Sequence, residues 1–194
     1  MRLALGTVQF GLDYGIANKV GLVPVGEAQC ILSLAKANEI DVLDTAIAYG
    51  TSEEVLGKLG VNEFRVVTKL PSLPDDQNNI ANWVNEQVRE SLKRLGQKKL
   101  YGLLLHRSKD LSSSKGGQLI KAIADLKNDG LVQKIGVSIY SPDELEVVCN
   151  KIKVDLVQAP LNVVDRRLQF SGWLGRLKDD GVEIHTRSTF LQGL

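Results

Sequence analysis

A carboxylate and a phenol stand close together in Asp44-Thr45-Ala46-Ile47-Ala48-Tyr49, after a short apolar strand, Asp41 to Asp44, and ahead of a helix beginning near Thr51. A phenol can act as a general acid near neutral pH when a neighbour lowers its pKa from about 10. The pairing therefore calls for a cation, and for a second donor to hold the oxygen being protonated. Lys69 and His106 are the candidates. Each has a plainer reading when taken alone: Asp44 as a loop cap, Lys69 as a surface cation and His106 as a satisfied core histidine. The four together, at the ends of successive strands, argue for chemistry.

The elements that must position them alternate between strand and helix. Leu3–Val8 reads as a strand, followed by the Gly-rich loop Gln9–Gly15 and a helix over Val25–Ile40, with Ala28, Ile31, Leu32, Leu34 and Ala35 at helical spacing. Asp41–Asp44 is the second strand. Ser52–Leu59 is a short helix with Glu53 and Glu54 in its first turn, where they complement the helix dipole. Arg65–Leu70 is the third strand, stopped by Pro71 and Pro74. Asn79–Leu95 is an amphipathic helix with Gly96 as its C-terminal stop. The pattern repeats with a strand at Leu100–His106, a helix at Leu119–Asn128 and a strand at Gln133–Ser138. Next comes a helix opened by Ser141 as N-cap with Pro142 in its first turn, then a strand at Val154–Gln158 ended by Pro160. A helix at Leu168–Leu177 and a seventh strand at Val182–Arg187 follow.

Apolar strands separated by helices imply a parallel sheet covered on both faces, as an open sheet or a barrel. Asp44, Lys69, His106, Ser138, Gln158 and Arg187 each fall at the C-terminal end of a different strand, from the second to the seventh. A barrel gathers every strand end around one mouth, whereas an open sheet concentrates ligand groups at one switch point. The fold expected is α/β, a TIM-type (β/α) barrel forming a single domain over residues 1–194. A barrel of this type has eight strand–helix units in about 250 residues. Seven strands before Leu194 leave the expected barrel incomplete, with its final βα unit missing.

Composition narrows the partners. The 194 residues are 43% hydrophobic, and 24 Lys plus Arg balance 23 Asp plus Glu, so no net charge calls for nucleic acid or an anionic membrane. No apolar run approaches the roughly 18 residues of a membrane span, and the apolar start is broken by Gln9 and Asp13 before a signal-peptide core forms. A cytoplasmic protein with a small-molecule partner is expected. Cys30 and Cys149 lack CxxC spacing and read as buried thiols. There is no metal-ligand spacing, no Walker loop and no GxGxxG after a strand. Gly6, Gly11 and Gly15 read as loop flexibility around the mouth. His185 shares a strand face with Arg187, and Arg166 and Arg167 read as a solvated face.

These motifs carry a family resemblance. Leu5-Gly6-Thr7-Val8-Gln9-Phe10-Gly11, Asp44-Thr45-Ala46-x-x-Tyr49, Thr68-Lys69, Leu103-Leu104-Leu105-His106, Lys134–Ser138, Val157-Gln158 and Ser188–Leu194 resemble, in order and strand context, the successive motifs of the aldo-keto reductases. The resemblance implies NAD(P)H-dependent reduction of an aldehyde, ketone or sugar carbonyl. Tyr49 would protonate the carbonyl oxygen, Lys69 paired with Asp44 would lower its pKa, and His106 would hold the oxygen. It also implies cofactor contacts from Gly6, Thr7, Ser138, Gln158 and Arg187, with NADP(H) expected and NAD(H) as the alternative. The chain departs from the pattern at Ile139, where the family's carboxamide-binding Asn would stand. It departs again at Arg187, which occupies the place where many members stack an aromatic ring on the nicotinamide. A guanidinium there could shift cofactor preference or attract an acidic or phosphorylated substrate.

The seven-strand reading bears on function. The family's adenosine-phosphate grip usually follows the seventh strand, so the chain is expected to be a fragment, a natural short form or a degenerate product. Open first and seventh strand edges would favour self-association. The alternative function is a non-catalytic or regulatory binding module that keeps the barrel.

Overall fold

The computed structural model describes residues 3–193; Met1, Arg2 and Leu194, the last residue of the Ser188–Leu194 motif, lie outside the described residues. Seven parallel strands form one sheet in sequence order: β1 (Leu5–Gly6), β2 (Val42–Asp44), β3 (Arg65–Leu70), β4 (Leu100–Leu105), β5 (Val132–Ser138), β6 (Leu156–Pro160) and β7 (Glu183–Arg187). Among the described residues β1 and β7 each pair on one side only. The crossovers carry α1 (Val25–Ala37), α2 (Ser52–Leu59), α3 (Ile80–Leu95), α4 (Gly116–Asn128) and α5 (Asp143–Lys151), then α6 (Arg167–Phe170) and α7 (Trp173–Asp179) between β6 and β7.

The sheet is curled. In a flat sheet β2 and β6 would lie roughly 19 Å apart, four spacings of about 4.8 Å. Gln158 of β6 nevertheless donates to Asp44 of β2 at 2.7 Å, and the Tyr101 hydroxyl of β4 donates to Glu183 of β7 at 2.6 Å. These contacts make the sheet a barrel wall whose strand ends face one another.

Two apolar layers explain the curl. The larger joins the outer sheet face to the helices through Leu43, Val66, Leu103, Leu105, Val137 and Val157, packed against residues such as Leu56, Val84, Val88, Leu119 and Leu145. The smaller, Val42, Val67, Leu104 and Leu156 with part of Tyr101, fills the inside. Gly136 lets β5 approach β6 there: a Cβ at that position would stand 1.8 Å from the Leu156 carbonyl oxygen. Overpacking a core usually costs 1–3 kcal/mol, and here the obstacle is backbone. Gly136→Ala is therefore expected to lower unfolding stability by about 3 kcal/mol, read from its urea midpoint.

Below the inner layer, at the N-terminal ends of the strands, polar groups close the barrel. Glu183 accepts from Tyr101, Lys134 and His185, and Arg65 donates to Tyr101 and to Asp41. Burial alone would raise the Glu183 pKa, but bonds from Lys134, Tyr101 and His185 outweigh it and hold the carboxyl at about 2. His185 thus belongs to the barrel floor, away from the mouth.

Several local expectations need correction. β1 is confined to Leu5–Gly6, and a 3-10 turn begins at Val8. The single helix expected over Leu168–Leu177 is two, because Gly172 adopts φ +80° between them. Ser141 does not cap α5: Glu144 reaches back to accept from the Tyr140 and Ser141 N–H groups at 2.7 and 2.8 Å, and the Ser141 hydroxyl turns to Asp143. Pro160 lies inside β6, opposite Arg187. The thiols are not buried: Cys30 is exposed and Cys149 half-buried. At α3 the Asn79 side chain accepts from the Asn82 N–H at 3.1 Å, and Gly96 ends the helix at φ +64°. No described helix is long and apolar enough to cross a membrane.

Candidate active site

The loop after β2 is fixed from below by hydroxyl groups. Thr7 follows β1 and donates through both its backbone N–H and its hydroxyl to the Asp44 carbonyl, at 2.9 and 3.0 Å. Ser52, opening α2, donates to the Thr7 carbonyl at 2.8 Å and sits 3.2 Å from the Thr45 hydroxyl. All three side chains are sealed from solvent. Gly11 admits the next turn, since a Cβ there would meet the Tyr49 carbonyl oxygen at 1.9 Å. A small apolar and hydroxyl cluster thereby places Asp44 and Tyr49 at the mouth.

Lys69 reaches the same place from β3. Its side chain is 1% exposed, and Nζ donates to Asp44 Oδ1 at 2.7 Å and to the Thr45 carbonyl at 2.8 Å. A buried ammonium is tolerable only when paired and hydrogen-bonded, and both partners come from the β2 end. Burial pulls the Lys69 pKa below its ordinary value; Asp44 works against that shift and Arg187 adds to it. The ammonium lies 4.9 Å from the centroid of the Tyr49 ring, and the His106 ring meets Tyr49 edge-on, 79° between planes and 6.1 Å between centroids. His106 stands one residue past β4, where its backbone N–H donates to the Leu70 carbonyl. Burial and the Lys69 charge lower its pKa, so the imidazole is neutral at pH 7 and keeps one N–H donor.

The Tyr49 phenol differs from the sequence-based expectation. Burial, then the Asp44 carboxylate, raises its pKa above the ordinary tyrosine range. Lys69 spends its bonds on Asp44 and Thr45, and no hydrogen bond joins it to the Tyr49 hydroxyl among the described residues. The phenol therefore stays protonated at neutral pH.

Ser138 and Gln158, 3% and 4% exposed, stand side by side, Ser138 at the end of β5 and Gln158 two residues short of the end of β6. Ser138 Oγ lies 3.2 Å from Gln158 Oε1, and Gln158 Nε2 donates to the same Asp44 oxygen that holds Lys69. This Ser138–Gln158–Asp44–Lys69 chain could not be read from spacing, because the curl alone brings Gln158 to Asp44. A hydroxyl beside an amide offers the donor and acceptor pattern that a carboxamide needs, so these two residues fit the nicotinamide end of the implied cofactor. Ile139 turns its side chain into the outer core, fully buried, and offers the mouth only its carbonyl. Gly6 is exposed, with nothing within 4 Å of a Cβ built there, and Thr7 keeps its hydroxyl inside the barrel wall. Arg187 closes β7; its Nη2 donates to the Ile139 carbonyl at 3.0 Å and its guanidinium covers the Tyr140 ring at 4.3 Å. Tyr140, two residues past Ser138, carried no sequence signal of this contact. Arg167 pairs with Asp165, while Arg166 lies over the Phe170 ring. Among the described residues no group of three or more His, Cys, Asp or Glu could hold a metal ion.

Comparison with known proteins places the arrangement. Residues 2–194 match the model of the aldo/keto reductase family. An uncharacterized oxidoreductase, YqkF of Bacillus subtilis (strain 168), is 26% identical in an alignment that covers 87% of this chain and 57% of that protein. The chain thus spans little more than half the length of this curated relative. Among solved structures, the putative aldo-keto reductase PA4992 of Pseudomonas aeruginosa is 26% identical, covers 93% of this chain and 70% of its own, and superposes with a TM-score of 0.77. The holo form of aldo-keto reductase AKR11C1 from Bacillus halodurans shares the fold, with a TM-score of 0.79 at 20% identity over 98% of this chain and 63% of that one. The motif order, the seven-stranded curled sheet and the match along the chain lead to one conclusion: the chain belongs to the aldo/keto reductase family.

Proposed function

We propose that the chain carries the proton-transfer and nicotinamide-binding groups of an NAD(P)H-dependent carbonyl reductase. The observation that supports this most is the Asp44–Lys69 ion pair set against a protonated Tyr49 that also meets His106. A nicotinamide cofactor bound over Ser138 and Gln158 would supply a hydride to the carbonyl carbon. Ser138 and Gln158 would hold its carboxamide, so the Gln158 amide would be shared between the cofactor and Asp44. His106, neutral and with one N–H, would donate to the carbonyl oxygen and orient it beside Tyr49. The Tyr49 hydroxyl would give its proton to that oxygen as the carbon is reduced, and an alcohol would result. Negative charge then develops on the phenol oxygen, and Lys69 beside the ring stabilises it in the transition state more than in the ground state. Asp44 keeps the ammonium charged and in place. Lys69 thus acts by favouring the developing phenolate, and the phenol rests in its proton-donating form.

Cofactor binding tests this reading. NADPH titrated into the chain is expected to give saturable fluorescence enhancement, and Gln158→Leu is expected to weaken the affinity about tenfold, the effect of about 1.4 kcal/mol of lost hydrogen bonding. No saturable binding to the wild-type chain would overturn the reading.

A further inference from the structure

Arg187 is the charge at the mouth that the proposed reduction does not use. Asp41, Glu53 and Asp165 pair with Arg65, Arg94 and Arg167, but among the described residues no carboxylate pairs with Arg187. Its guanidinium is nevertheless anchored, with one N–H on the Ile139 carbonyl and its plane over the Tyr140 ring. Its charge reaches the reacting groups: it opposes the protonation of Lys69 and His106 and favours ionisation of Tyr49. The other charges nearly cancel. Lys69 is neutralised by Asp44, His106 is uncharged, and Asp165, the carboxylate that feels Arg187, is itself held by Arg167, so the mouth keeps a net positive charge at Arg187, with Arg107 adding to it from the loop after β4. A planar guanidinium with one donor in use has further N–H groups in the fork that matches two oxygens of a carboxylate or phosphate. Because it is already held in place, it loses little freedom when it captures one.

We propose that Arg187 binds an anionic oxygen group, carboxylate or phosphate ester, carried by the carbonyl substrate, so that the site selects acidic aldehydes or ketones over neutral ones of similar size. The proposal rests on the reductase reading above for the identity of the ligand. A cofactor phosphate is the other source of the same chemistry, and the test separates the two.

The test compares succinic semialdehyde with pentanal, which is similar in length and uncharged, using NADPH as reductant and the wild-type, Arg187→Met and Arg187→Lys chains. The wild type is expected to favour succinic semialdehyde in kcat/KM by at least about tenfold, mainly through KM. Arg187→Met is expected to bring that ratio close to one, and Arg187→Lys to keep part of it, since an ammonium retains the charge but not the fork. Succinate titrated into the cofactor-free chain is expected to give saturable NMR shifts that Arg187→Met abolishes. A wild-type ratio near one, or a ratio unchanged in Arg187→Met, overturns the proposal. A fall in NADPH affinity with the ratio unchanged also overturns it and assigns Arg187 to the cofactor. If neither aldehyde is reduced the reductase reading fails, and succinate then decides the anion site alone: binding lost in Arg187→Met sustains it, and no binding overturns it.

Discussion

Tyr49→Phe is expected to lower the rate of aldehyde reduction roughly 100- to 10,000-fold, the range for loss of a positioned general acid. The change removes one oxygen and leaves the ring against His106 and the Lys69 ammonium. Protein stability should therefore hold while turnover fails, and cofactor affinity, which is assigned to Ser138 and Gln158, should stay near wild type. Rapid-mixing kinetics under single-turnover conditions read the hydride step free of product release. Because burial and Asp44 hold the phenol protonated, the wild-type rate should not fall between pH 6 and pH 9 through loss of the Tyr49 proton. A drop across that range that vanished in Tyr49→Phe would contradict the assigned protonation state.

The second large effect concerns Asp44 and Lys69. Asp44→Ala leaves the Lys69 ammonium 1% exposed with only the Thr45 carbonyl as partner. Breaking a buried pair in this way destabilises by about 3–5 kcal/mol. The sign with pH follows from the lowered Lys69 pKa. The folded chain binds the Lys69 proton less tightly than the unfolded chain, whose lysine titrates near 10.5. Between the two pKa values the unfolded state holds more protons, so stability rises with pH across that window. The penalty is fully present below the folded pKa and is relieved as pH climbs toward 10.5. Without Asp44, the group that opposes the shift, the folded pKa falls further and the window widens toward neutrality. Urea unfolding of Asp44→Ala from pH 7 to pH 10 should show stability recovered as pH rises. Lys69→Met in the same background should abolish that slope and restore most of the loss at pH 7. A loss independent of pH would mean that the ammonium is not the buried charge at fault.

The sequence carried the strand-end positions of these residues because a parallel barrel wall repeats a simple register. Asp44, Ser138 and Arg187 end their strands, Lys69 and Gln158 lie one and two residues short of the end of theirs, and His106 stands one step beyond. Quantities that depend on three dimensions were hidden. Gln158 binds Asp44 because the sheet curls by an amount that no local pattern encodes. The direction of the Tyr49 shift is a sum of burial and opposing charges, in which burial and the Asp44 carboxylate outweigh the cations at the mouth. The break in the helix expected over Leu168–Leu177 lay in one glycine, Gly172, whose φ of +80° no residue type announces by itself. Cys30 was misplaced because the lack of CxxC spacing says nothing of which way a helical residue points, and its position on α1 faces outward.

Isotope transfer addresses the reductase reading most directly. With NADPH carrying two deuterium atoms at nicotinamide C4 and a reactive aldehyde such as 4-nitrobenzaldehyde, the chain is expected to form an alcohol with one deuterium on its carbinol carbon, seen by mass spectrometry, and Tyr49→Phe is expected to form almost none. Aldehyde left unreduced by the NADPH-saturated wild type, or deuterated alcohol produced equally fast by Tyr49→Phe, would contradict it.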